Sequence, residues 1–250
     1  MKHPRRALNP PPETQKMLPQ PPPNAPALPP SAAAVRSRKM WNWLVGVGSL
    51  SIFGLFVLLT IPMTVRSYKN TDQTEAVSNA RCIGLALWEF ETEYGKYPDA
   101  TTIAAVEKQT GSPLPLGTKT SNDMFRQLLA AEIVQSEGMF YANIDGARKP
   151  DGVITPASAL EKGECGFSYL AGLSSKGNPS RPLVVTPLIP GTDRFDPKRF
   201  DGKAVILKMD NSVTSMKIEK SGHVLLDGRN LLDPKHPIWS GAPPTIVWPE

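Results

Sequence analysis

Apolar and polar positions fall into three successive patterns along the chain. From Met40 to Val65, "MWNWLVGVGSLSIFGLFVLLTIPMTV" runs for 26 residues without a formal charge. A bilayer core is crossed by about 20 helical residues, so the run predicts a transmembrane helix. A cleaved signal peptide is the rival reading, but its apolar part would be only about 7–15 residues long, and here 39 residues precede the run. Further on, Ala76, Ala80, Ile83, Leu87, Phe90 and Tyr94 recur at steps of four, three, four, three and four. That is one apolar stripe on a helix of ~3.6 residues per turn. Gly95 suits the left-handed position after the last turn, and Pro98 stops the helix from resuming. The seven residues "RSYKNTD" that separate the two patterns hold neither Gly nor Pro. One helix is therefore expected from about residue 41 to 94, transmembrane and then amphipathic, roughly 80 Å long and kinked near Pro62.

The third pattern is broken and short-ranged. "SNDMFRQLLAAEIV" offers Ser121 as an N-cap, Asp123 in the first turn, and Phe125, Leu128, Leu129 and Ile133 at helical spacing. After it, the turn signals Asp145-Gly146, Asp151-Gly152, Asp201-Gly202 and Asp227-Gly228 separate segments rich in β-formers: "GFSYLAG", "RPLVVTPL", "KAVILKM" and "VTSMKI". The last two are joined at hairpin length through Asp210-Asn211-Ser212. The expected fold class is α+β, with the long helix packed on a small antiparallel sheet. No internal repeat is seen.

Composition refines the division of the chain. Of 27 prolines, 11 lie in the first 30 residues, where missing amide donors and fixed φ oppose helix and sheet. Residues 1–39 are expected to be a disordered or polyproline-II arm, 40–65 the span, and 66–250 the folded domain. The arm carries Lys2, Arg5, Arg6, Lys16, Arg36, Arg38 and Lys39 against Glu13, a balance of +6. With +5 for the whole chain, everything after Lys39 sums to −1, so the basic character belongs to the arm. Arg36, Arg38 and Lys39 crowd one end of the span, where Trp41 and Trp43 suit the interface. The positive-inside rule then places the arm in the cytoplasm and the domain outside the inner membrane. Cations gathered there are an orientation signal rather than a nucleic-acid surface.

Four ordered strings bring a family into view. "SNARCIGLALWEFETEYGKYPDA", "TSNDMFRQLL", "LEKGECGFSYLAGLSSKGNPSRPLV" and "GKAVILKMDNSVTSMKI" together cover most of residues 60–235. They resemble segments of type IV pilin-like proteins, the prepilin-like and pseudopilin relatives. The resemblance implies a pilin-like fold, an inner-membrane anchor, and a role in a type II secretion or type IV pilus-like machine. The chain departs from the family at its start. Members carry a short basic leader, a cleavage-site Gly and a Glu early in the mature helix, whereas the nearest candidate here is Gly54-Leu55-Phe56 and no acid lies between Met40 and Val65. The N-terminus is therefore expected to be retained.

Cys82 and Cys165 both replace residues that are polar in the matching strings. In an oxidising compartment a Cys82–Cys165 disulfide is one reading, and two inert thiols the other. The resemblance also suggests a loop calcium site, for which Asp193, Asp196 and Asp201 are the candidates, although Asp-Gly is first of all turn chemistry. His3, His223 and His236 stand at no metal-ligand spacing. There is no Gly-x-Ser-x-Gly, His-Glu-x-x-His or phosphate-cradling glycine loop, and Ser168, Tyr169 and His223 read as strand and turn residues. No catalytic residue, metal or cofactor is assigned. The expected function is that of a non-enzymatic single-pass membrane protein, either a structural or accessory part of a secretion or pilus-like machine, or an adaptor whose Pro-rich arm recruits a cytoplasmic partner.

Overall fold

The computed structural model describes residues 41, 43, 45, 47, 49, 68, 70–241 and 243–250, and the chain divides into two compact units, 1–57 and 58–250. In the first unit the described residues, Trp41, Trp43, Val45, Val47 and Ser49, are helical and exposed. The anchor candidates Arg36, Arg38 and Lys39, the proline-rich arm, Gly54-Leu55-Phe56 and Pro62 lie outside the described residues.

In the second unit Tyr68 is helical, and the helix described without a gap, α1, runs over 70–94. Its stripe is buried, with Ala76, Ile83, Leu87 and Phe90 at 0% exposure and Ala80 at 1%. Tyr94 is half-buried and stacks on Phe90 at 4.5 Å between ring centroids. Gly95 takes φ +82° and its N–H donates to Glu91 O at 2.8 Å, closing the helix. The chain then turns inward through Pro98, whose carbonyl accepts from the buried Tyr169 hydroxyl at 2.9 Å. Two short helices follow. Only Val106 of α2, Ile103–Thr110, is buried, which is why the apolar pattern gave no sign of it. In α3, Ser121–Ala130, the expected N-cap is displaced by one residue. Extended Thr120 accepts from the Asp123 N–H, and the Asp123 carboxylate accepts from the Thr120 N–H, which is a capping box. Ser121 instead becomes a buried residue of the first turn. Ile133, expected on the stripe, lies past the helix end, because Glu132 adopts φ +58°.

Strands β1 (Ser168–Ala171), β2 (Pro182–Thr186), β3 (Lys203–Lys208), β4 (Val213–Lys217) and β7 (Thr245–Val247) form an antiparallel sheet in the order β4-β3-β2-β1-β7. A separate two-stranded ribbon pairs β5 (Leu225–Leu226) with β6 (Arg229–Asn230). Side chains alternate across the sheet, as successive strand residues must. Tyr169, Val184, Val205 and Leu207 join the α1 stripe and α3 in one apolar cluster. Leu170, Val185, Ala204 and Ile206 join a second cluster closed by Leu231, Leu232, Ile238 and Trp239. Leu183 and Val184 both face the first cluster because a register irregularity falls between Pro182 and Val184.

The expected fold class is corrected on two counts. Among the described residues no helix is long and apolar enough to cross a membrane. The outer positions of α1 carry Asp72, Glu75, Arg81, Glu89, Glu91 and Glu93, so 70–94 is an amphipathic helix and not a span, while most of the expected span, 40–65, lies outside the described residues. The sheet is also not a small one under a single cover, since the segments after Ile218 bury its second face. Among the described residues of the second unit, the expected single long helix on a small sheet is thus replaced by three helices, α1 to α3, and a five-stranded sheet covered on both sides.

Candidate interaction surface

While the α1 stripe is consumed by the core, the opposite side of the same helix is not. Leu85 is 58% and Trp88 62% exposed. They line a shallow groove with Glu89, Thr92 and Glu93. Residues 85, 88 and 92 recur at steps of three and four, so they form a second, shorter stripe roughly opposite Ile83, Leu87 and Phe90. The rim is acidic but partly tied down: Glu93 accepts from Gln109 of α2, and Thr92 Oγ1 donates to Trp88 O at 2.9 Å. The arrangement offers one large aromatic side chain in a polar frame, suited to an apolar partner bearing cations at its margin. The signal in the sequence was the Leu85-x-x-Trp88 pair within "LALWEF", which stands outside the single stripe from Ala76 to Tyr94.

The two cysteines are not brought together, so of the two readings the bridge is set aside: both thiols are free, Cys82 exposed and Cys165 buried. One residue along a helix rotates a side chain by about 100°, so Cys82 cannot share the inward direction of its neighbour Ile83. The Cys165 thiol donates to Phe167 O at 3.4 Å and lies 3.6 Å from Ser121 Oγ. Burial pushes this thiol up to about 11.

The residues weighed for catalysis serve the fold. Ser168 is buried within β1, and Tyr169 holds the loop after α1. The His223 Nδ1 lies 3.2 Å from Ser221 Oγ, a contact within one turn, and its Nε2 is 3.6 Å from Asp193 Oδ2. His236 is buried, its Nε2 at 3.0 Å from Leu226 O and its Nδ1 accepting from the Ile238 N–H.

The calcium candidates are likewise engaged in separate turns. Asp193 accepts from Asn230 Nδ2 at 2.9 Å, Asp196 accepts from the Lys198 N–H at 2.9 Å, and Asp201 sits at φ +55° in a 3-10 turn. Among the described residues, the carboxylates whose oxygens converge are instead Glu137, Asp151 and Glu164, all within 4.8 Å of one another. They come from three chain segments at no regular spacing, so the sequence gave no sign of them. Burial pushes the Glu137 carboxyl above its usual range; the Leu160 amide opposes this, the Glu164 and Asp151 charges add to it, and the nearby Gly152 amide opposes it more weakly.

The chain matches no protein-family model, no curated protein and no solved structure. The resemblance to pilin-like proteins therefore rests on the four quoted strings.

Proposed function

We propose that the chain is a non-enzymatic, single-pass protein of the inner membrane that works by protein–protein contact, as a structural or accessory component of a type II secretion or type IV pilus-like machine. The observation that carries the reading is the division of α1 into two faces, one buried under the domain's own sheet and the other presenting Leu85 and Trp88 to solvent. A large exposed aromatic framed by polar groups is the kind of side chain that dominates binding at interfaces. Further support comes from the uncharged run 40–65 with Arg36, Arg38 and Lys39 before it, which argues for an anchor with the arm in the cytoplasm and 70–250 outside. The order of the four quoted strings supports the type of machine.

The test is site-specific photo-cross-linking in cells, with a photoreactive residue at position 85 or 88 of the full-length chain. A discrete adduct with a second membrane protein is expected, and Trp88→Glu should abolish the adduct formed from position 85. Absence of any adduct from both positions, in cells where the chain fractionates with the membrane, would remove the proposed surface.

A further inference from the structure

We propose that Glu137, Asp151 and Glu164 form a binding site for a single Ca2+ ion, an inference independent of the membrane reading above. Glu137 and Glu164 are both 0% exposed, while Asp151 is exposed at the mouth. Glu137 Oε1 accepts the Leu160 N–H, but its other oxygen, Oε2, is buried without a hydrogen-bond partner. Leaving a carboxylate oxygen dry and unpaired is costly unless a cation or a proton meets it.

Charge counting points to a divalent ion. Glu164 receives the Asp151 N–H at 3.3 Å and the Glu161 N–H at 2.8 Å, and its Oε1 is 3.1 Å from Arg148 Nη1. Three carboxylates against that one guanidinium leave two negative charges, and Arg148 is further shared with the Glu161 carboxylate. An all-oxygen donor set selects hard cations, and between the common two the geometry favours calcium. Calcium accepts irregular shells of about 6–8 oxygens and completes them with water, whereas magnesium requires a tight octahedron. Here one carboxylate comes from the 3-10 turn Glu137–Phe140, one from the irregular segment after Ala147, and one from just before β1. The exposed side at Asp151 admits the ion and its waters. A bound ion would tie these three segments together where neither helix nor sheet does.

The experiment titrates calcium chloride into chelator-stripped full-length protein and follows heat of binding and thermal melting. One Ca2+ per chain is expected, with melting raised by several degrees in millimolar calcium and by less in equal magnesium. Asp151→Asn, at an exposed position, should fold as the parent does and weaken binding at least tenfold, and Glu137→Gln should abolish it. No heat and no change of melting in millimolar calcium would overturn the site and leave a proton shared among the carboxylates. Undiminished binding in both variants would also overturn it, since the ion would then be held elsewhere.

Discussion

On one side of the sheet, Val184, Val205 and Leu207 meet Ile83, Leu87 and Phe90 of a helix; on the other, Val185, Ala204 and Ile206 meet Leu231, Leu232 and Trp239, which belong to segments with little regular structure. The difference lies in who satisfies the backbone. A helix pairs its own N–H and C=O groups, so α1 delivers apolar side chains at no polar cost. An irregular cover leaves carbonyls to be met one at a time. Arg181 Nε and Nη2 donate to Ile238 O and Trp239 O, each at 2.7 Å, Trp239 Nε1 donates to Leu231 O at 3.0 Å, and Trp248 Nε1 donates to Thr192 O at 3.0 Å. Arg181 also lies over the Trp239 ring, 6.0 Å from its centroid. The second layer thus depends on a few polar anchors, and the first on a repeated pattern.

If both layers belong to one cooperative unit, removing the centre of either must destabilise the whole. Trp239 is 0% exposed, and Trp239→Ala removes its apolar bulk together with the donor to Leu231 O. Urea denaturation of the full-length protein should show a loss of ~3–5 kcal/mol. Leu87→Ala, on the helical side and equally buried, should cost ~2–5 kcal/mol in the same measurement. A Trp239→Ala protein that kept the parent's midpoint would show the irregular layer to be an accessory, and the comparison would break there.

The helical side also carries the groups sensitive to alkali. The fully buried Cys165 thiol is raised from 9.0 to about 11. A folded value above the unfolded one means that the native state resists ionisation. The stability linked to Cys165 is therefore complete below pH 9 and lost as pH rises through 11. Two units correspond to about 2–3 kcal/mol. Tyr97, raised to about 12 by burial and then by the Glu91 charge, acts in the same sense but only from pH 10 upward. The first pH unit above 9 isolates the thiol, and Cys165→Ala should flatten the stability curve there. An unchanged slope in that variant would mean that the thiol ionises as readily in the native protein as in the unfolded chain.

Legibility in the sequence follows the same division. The stripe from Ala76 to Phe90 could be read because period ~3.6 is written into residue spacing, and β1 to β4 because β-formers stand between Gly, Pro and Asp turn signals. Trp239 and Leu231 could not be placed, since an irregular cover has no period and its anchors, such as Arg181, are 50 or more residues distant in sequence. The convergence of Glu137, Asp151 and Glu164 was hidden for the same reason. Within "RSYKNTD" the described residues 68 and 70–72 are helical, as the absence of Gly and Pro allows. The state of the two cysteines was open for another reason, since residues in suitable segments need not face each other, and Cys82 is exposed while Cys165 is buried.

The smallest effect tests how closely α1 lies on the sheet. Gly84 is buried on α1, and a Cβ placed there would lie 2.0 Å from Asn211 Oδ1 and 2.9 Å from Leu207 Cδ1. Helix propensity alone favours Gly84→Ala by ~1 kcal/mol. Forcing a methyl into a packed contact costs ~1–3 kcal/mol. Asn211 is exposed and its side chain can swing away, whereas Leu207 is 0% exposed and is fixed within the core, so the contact with Leu207 decides the sign. Gly84→Ala is expected to lower stability by about 1 kcal/mol net of the propensity gain. Asn211→Gly should recover only part of that loss, because it clears the amide but not the leucine; position 211 already adopts φ +63°, which glycine accepts without strain. Full recovery would assign the close approach to the turn between β3 and β4 alone. A Gly84→Ala protein more stable than the parent would mean that the helix stands off from the sheet, leaving the first layer as loosely held as the irregular one.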